Sequence, residues 1–238
     1  MIKKNRNICI IPARGNSKRI LNKNIKKFYG KPLIYYSINL AKKSKLFDKI
    51  FVSTDSKKIR KISEKYGAEV PFLREKKFSK DSVGTEFVTR NFLKKINHKS
   101  YDYCVCLYPT SPFLKTNDLH ISLKKIKRNK FDKLTSVGKY NFSPLRAFKK
   151  KGIKINFINK RYKNFRSQKL PNIFHDAGNF YIYKIKNFLK SKIDLKKHTF
   201  FELDNYRVLD INTPEDFKMA EIQYKILKKK KLIWKFFN

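Results

Sequence analysis

Acidic residues are scarce in this chain: 18 Asp and Glu stand against 59 Lys and Arg in 238 residues, for a formal charge of +41. On its face that imbalance points to nucleic acid or an anionic membrane surface as a partner. The distribution argues otherwise, because lysines are spread over nearly every predicted surface helix instead of forming one stripe. What the charge does imply is a non-specific affinity for polyanions that falls with salt. Cysteine is scarce too. Cys9, Cys104 and Cys106 each sit inside an apolar, strand-like run without metal-ligand spacing, which predicts reduced, buried thiols and a cytoplasmic protein. No apolar run is long enough to span a bilayer, and the one after the basic start MIKKNRN is too short for a secretory signal. The four histidines offer no Ser-His-Asp or Cys-His arrangement, and only His175 lies in a segment that looks like part of a site.

Against these absences stands the stretch ICIIPARGNSKRILNKN, Ile8 to Asn24. Ile8 to Ile11 have the length and apolarity of a central parallel strand, and Pro12 is expected to stop its ladder. Beyond it Arg14, Lys18, Arg19 and Lys23 supply cations, and Asn16, Ser17, Asn24 and the amides around Gly15 supply neutral donors. Such a loop is suited to a phosphate. Its spacing matches neither the P-loop nor the dinucleotide fingerprint. A solvated basic loop after a first strand is the plainer alternative.

The chain then alternates. Lys31-Pro32 opens a helix through Leu40, KIFVST (49–54) is a strand, Asp55 and Ser56 cap a second helix that Gly67 stops, and AEVPFLR is expected to be a third strand ending at Arg74. KDSVGT precedes a helix over 86–96, YDYCVCL (101–107) is an interior strand, and Tyr108-Pro109-Thr110-Ser111-Pro112 forms a rigid polar lip at its end. This order predicts an α/β fold, one mostly parallel sheet with helices on both faces. In such sheets ligands bind at the carboxyl edge of the strands. The opening loop, Arg74 and the lip are therefore expected to share one crevice. From Lys133 a strand leads into short antiparallel segments around Lys150-Lys151-Gly152 and an extended loop, RYKNFRSQKLP, which form an excursion from the sheet at about 138–172. HDAGNFYIYKI returns to a strand, and Asn212 or Thr213 caps a final helix with Pro214 in its first turn. The basic, aromatic tail LKKKKLIWKFFN offers Trp234, Phe236 and Phe237 to an anionic membrane, although a frayed or packed helix end explains it more simply.

Cations (Arg14, Lys23, Arg74), hydroxyls (Thr85, Thr110, Ser111) and the isolated carboxylate Asp210 suit a nucleoside triphosphate with a divalent cation, since an Asp at a strand end holds Mg²⁺ while phosphates and waters complete its shell. IPARGNSKRILNKN, VSTDS, AEVPFLR, LYPTSPF, NFRSQ, FHDAGNFY and DINTPED also follow the order and spacing of the acylneuraminate cytidylyltransferases, the CMP-sialic acid synthetase group. The resemblance runs from about Ile8 to Tyr224. Tyr before PTSP, with H-D-A-G in the late strand, resembles the pseudaminic acid branch of that group. It implies a Rossmann-like sheet of the nucleotide-diphospho-sugar transferase type in a single domain, 1–238. It further implies a homodimer whose excursion swaps contacts with its partner, and Mg²⁺-dependent transfer of CMP from CTP to a nonulosonic acid for surface glycan or flagellin glycosylation.

Carried over position by position, the resemblance places Arg14, Lys23 and Asp210 in catalysis. Arg14, Ser17, Lys23, Asn24, Arg74 and Thr85 fall on the nucleotide, and Tyr108, Arg146, Arg166, Gln168, His175 and Asp176 on the sugar, with Asp210 as the metal ligand. Three departures stand out: Asn212 replaces the usual second carboxylate of D-I-D-T, Asn16 the usual second Gly and Leu21 the usual Pro. None removes a cation, so activity is expected. Asp176 or His175 is a weaker candidate for a base. The alternatives are a cytidylyltransferase for N-acetylneuraminic, legionaminic or 3-deoxy-manno-octulosonic acid and, from another class, a basic nucleic-acid-binding protein.

Overall fold

The computed structural model describes residues 6–190 and 194–236, with side chains up to residue 229. In chain order the strands are β1 (Asn7–Pro12), β2 (Lys27–Phe28), β3 (Lys31–Pro32), β4 (Lys49–Ser53), β5 (Tyr103–Leu107), β6 (Lys133–Lys139), β7 (Phe148–Lys151), β8 (Lys154–Phe157), β9 (Phe174–Lys184) and β10 (His198–Leu203). The helices are α1 (Leu33–Ser44), α2 (Lys57–Lys65), α3 (Thr85–Lys95), α4 (Thr116–Arg128), α5 (Ile185–Phe188) and α6 (Pro214–Phe236).

Six strands form the main sheet in the order β10-β6-β9-β5-β1-β4. β1 pairs parallel with β4 and β5, and β6 parallel with β10, while β9 runs antiparallel to both its neighbours. The alternation of β1 explains why helices cover both faces. Cys9 and Ile11 pack with Ile34 and Ile38 of α1, Ile59 of α2 and Leu119 and Leu123 of α4. Ile8 and Ile10 point the other way, onto Phe92 and Leu93 of α3 and Phe188 of α5. All three cysteines are free and buried, and burial pushes the Cys106 thiol up to about 12.

Three expectations need correction. AEVPFLR is not a strand but one parallel bridge, Phe51 to Glu69, followed by extended chain, because Pro71 has no N–H to continue a ladder. Pro12 does not end the pairing, since the Ala13 N–H still donates to the Ser53 carbonyl at 2.9 Å. SPLR is a 3₁₀ turn, Pro144–Arg146, and the hairpin begins only at Phe148. Thr213 is the cap of α6: its Oγ1 accepts from the Asp216 N–H at 3.2 Å, while the Asp216 carboxylate accepts from the Asn212 and Thr213 N–H groups. Those bonds hold the Asp216 carboxyl below the usual carboxylate range. The membrane contact expected of Trp234, Phe236 and Phe237 lies outside the described side chains. Among the described residues no helix is long and apolar enough to cross a membrane.

Candidate active site

The parallel strands β1, β4 and β5 end at one edge of the sheet, and the segments that follow them meet there. After β1 the chain turns at Gly15, whose N–H donates to Asp55 Oδ1 at 2.7 Å; a Cβ on Gly15 would lie 2.8 Å from Ser56 Cβ. The glycine therefore serves a close approach between two loops. Its amide is taken by Asp55, contrary to the expectation that it faces a phosphate. Asn24, buried, donates through Nδ2 to the Arg14 carbonyl at 2.9 Å and so fixes the loop that carries Arg14. Beneath the loop, Ile20, Phe28, Leu33, Phe113, Ile211 and Phe217 form a separate apolar cluster.

Ile211 brings its neighbours to the loop. Lys23 Nζ donates to the Ile211 carbonyl at 2.6 Å, which ties the opening loop to Asp210 and Asn212 across 188 residues of sequence. The buried pair of Arg207 with Asp118 pins the preceding turn to α4, whose first turn Asp118 also caps through the Lys115 N–H at 2.7 Å. Burial lowers the Lys23 ammonium, with Arg19 and Arg14 pushing the same way and Asp210 pulling it back. Arg74 is only 9 % exposed, and burial lowers its guanidinium also, offset in part by Asp55. Its N–H donates to Thr54 and its Nε to Ser79 Oγ at 3.0 Å.

These groups line one open cleft of about 330 Å³ that contains Arg14, Ser17, Arg19, Lys23, Asn24, Arg74, Thr85, Tyr108, Asp210 and Asn212. Tyr108 OH donates to Thr85 Oγ1 at 3.0 Å, joining the lip to the start of α3. All of the residues assigned to the nucleotide and the metal from the sequence are thus brought together, and Tyr108 with them. The other sugar-side residues are not. Arg146 and Gln168 line a second cavity of about 450 Å³ in the excursion, where Arg146 Nη1 donates to Ser167 Oγ at 3.3 Å. Arg166 precedes the 3₁₀ turn Ser167–Lys169 there, on the surface. His175 and Asp176 open β9, paired with Gly138 and Val137 at the same sheet edge. Asp176 accepts from Tyr181 OH at 2.7 Å and from the Gly178 N–H at 2.9 Å, and the His175 ring packs edge-on against Tyr140. Neither is among the residues that line the cleft.

Sequence reasoning missed Phe78, Ser79 and Lys80 in the cleft wall, and gave Asp81, within the KDSVGT segment before α3, no place in the site. In the structure Asp81 is ion-paired to Arg14, with Lys18 at 3.9 Å. A lone carboxylate among so many cations was the available signal.

A family model described as Cytidylyltransferase matches residues 8–233. The chain belongs to the Cytidylyltransferase family. It is therefore a nucleotidyltransferase. The chain is 39 % identical over 226 residues to the pseudaminic acid cytidylyltransferase of Campylobacter jejuni subsp. jejuni serotype O:23/36, covering 93 % of this chain and 97 % of that protein. It is 29 % identical to an N-acylneuraminate cytidylyltransferase of Streptococcus agalactiae serotype III, over 88 % of this chain and 51 % of that protein. Among solved structures, a CMP:2-keto-3-deoxy-manno-octonic acid synthetase complexed with CTP superposes with a TM-score of 0.68 at 13 % identity, covering 94 % of this chain and 99 % of that one. That likeness shows the fold, and the cleft described above lies at the carboxyl edge of the sheet.

Proposed function

We propose that this cytidylyltransferase transfers CMP from CTP to the anomeric hydroxyl of pseudaminic acid, releasing pyrophosphate. The observation that carries the reaction class is the cleft itself: Arg14 and Lys23 of the opening loop converge with Arg74 and Asp210 at one sheet edge. The choice of sugar rests on the near full-length likeness to the Campylobacter jejuni enzyme.

In this reading the anomeric hydroxyl gives up its proton to solvent as its oxygen forms a bond to the α-phosphorus, the bond from that phosphorus to its bridging oxygen breaks, and pyrophosphate leaves with that oxygen. The chain's task is positioning and charge neutralisation. Arg14 and Lys23 hold the triphosphate, Arg74 and Thr85 the cytidine end, and Tyr108 the sugar. The partial desolvation of Lys23 and Arg74 strengthens their attraction for phosphate oxygens.

Asp210 and Asn212 fit Mg²⁺ in chemistry, being hard oxygen donors on one short segment, with a single carboxylate where two would bind more tightly. The Asn212 amide donates to Asp210 Oδ2, so it orients the carboxylate instead of adding charge. When bound, Mg²⁺ supplies neutralisation of the phosphates and lowers the pKa of a coordinated hydroxyl.

A homodimer completes the reading. The excursion lines a cavity of its own that shares no residue with the cleft wall, and it exposes Phe142 at 90 %, Ile153 at 100 %, Ile155 and Ile158. Apolar exposure of that kind suits a second copy of the chain, which would carry Arg146, Arg166 and Gln168 to the sugar. The free thiols accord with work in the cytoplasm.

The test is pyrophosphate release from CTP and Mg²⁺ with a panel of nonulosonic acids at high salt. Turnover with pseudaminic acid well above that with N-acetylneuraminic, legionaminic or 3-deoxy-manno-octulosonic acid is expected. Preference for another sugar overturns the substrate assignment, and polyanion binding without turnover favours a nucleic-acid-binding protein.

A further inference from the structure

Arg14, the first cation of the opening loop, already has an anionic partner: the Asp81 carboxylate is in contact with Arg14 Nη1, and Lys18 Nζ lies 3.9 Å from its other oxygen. The partner belongs to the segment 79–84, which contributes Ser79, Lys80, Asp81 and Val83 to the same cleft. That segment is lightly held. Lys80, Asp81, Ser82 and Gly84 are exposed, its one internal backbone bond runs from the Val83 N–H to the Lys80 carbonyl at 3.1 Å, and a Cβ on Gly84 would meet nothing within 4 Å. It joins two fixed points, Arg74 bound to Thr54 and Ser79, and the start of α3 at Thr85.

We propose that Asp81 is an internal competitor that occupies the anion seat of Arg14 and Lys18 until a polyphosphate displaces it. This rests on the reading of the cleft as a triphosphate site. A carboxylate carries one charge and a pyrophosphate or triphosphate carries several, so only the latter pairs with Arg14 and Lys18 strongly enough to expel Asp81 and still gain. Ligands that reach the cleft without a polyphosphate, such as cytidine, leave the pair closed. After transfer, Asp81 returns to Arg14 as pyrophosphate leaves, so the same contact that weakens CTP binding helps to clear the product.

The pair is half exposed, with side chains 32 % and 52 % accessible, so its strength is that of a screened surface pair. Removing it should tighten polyphosphate binding by a factor of about two to five.

The experiment is calorimetric titration of the full chain, wild type and Asp81→Asn, with inorganic pyrophosphate, CTP and cytidine, without and with Mg²⁺. Asp81→Asn is expected to bind pyrophosphate and CTP more tightly by that factor with cytidine unchanged, and Asp81→Glu, which keeps the charge, to restore the wild-type values. Equal or weaker pyrophosphate binding by Asp81→Asn overturns the proposal while wild-type binding of CTP leaves the cleft assignment standing. Weakening seen only with Mg²⁺ would make Asp81 a metal ligand, which also overturns it. If neither form binds CTP, the triphosphate reading fails and this inference with it.

Discussion

The cleft and the excursion are built on opposite principles. In the cleft the functional residues are tied into a network: Asn24 holds the Arg14 carbonyl, Lys23 the Ile211 carbonyl, Arg74 both Thr54 and Ser79, and Tyr108 holds Thr85. In the excursion, β7 and β8 form a two-stranded sheet of their own, with apolar Phe148, Ile153 and Ile155 exposed and the Arg146 guanidinium bonded to nearby Ser167. A two-stranded hairpin is marginal by itself in water. The difference teaches that one region is preorganised within a single chain, whereas the other has the character of a surface that awaits another.

The largest effect is expected inside the cleft. Asp210→Asn removes the one carboxylate at the proposed metal position, and steady-state turnover should fall by a factor on the order of 10² or more while the circular dichroism spectrum and Tm stay close to wild type. Near-normal turnover would withdraw Asp210 from the site.

Complementation probes the excursion next. Arg14→Ala is impaired in the cleft and Arg146→Ala in the excursion, so each alone should be nearly inactive. If excursions serve partner clefts, random mixing makes half the dimers mixed, each with one intact site, and about a quarter of the wild-type rate returns. No recovery on mixing and subunit exchange would confine each excursion to its own protomer.

A smaller effect is expected in the pH profile. Burial lowers Lys23, so it loses its proton at a lower pH than a free lysine, and CTP affinity should fall from that lower pH upward. Lys23→Arg keeps a cation to higher pH and should move the alkaline limb up in a plot of kcat/KM; an unmoved limb would mean another group sets it. Smallest in its effect on chemistry is Gly15→Ala. Its Cβ would crowd Ser56 at 2.8 Å, and overpacking of that kind costs about 1–3 kcal/mol, read as a lower denaturant midpoint.

The sequence made the cleft legible because its parts carry local signals. The apolar run of β1, the Ser56 cap, Gly67 at φ +90° and the Pro109 to Pro112 lip each mark a strand or the end of a strand or helix, and ends at one sheet edge assemble a site. Periodicity does not reveal pairing partners, so the reversal of β9 between β5 and β6 was not readable, nor was the reduction of AEVPFLR to one bridge. Arg146, Gln168, His175 and Asp176 could be placed on the sugar only by resemblance; their own surroundings, a separate cavity and the start of β9, depend on how the excursion leaves the sheet. Contacts such as Arg14 with Asp81 join segments far apart in sequence, and no local rule points to them.

The most direct measurement incubates the protein with CTP, Mg²⁺ and pseudaminic acid and quantifies both products by mass spectrometry and phosphate analysis. Equal amounts of the CMP-linked sugar and pyrophosphate are expected. CTP consumption without a sugar adduct, or no consumption with any nonulosonic acid, would contradict the account.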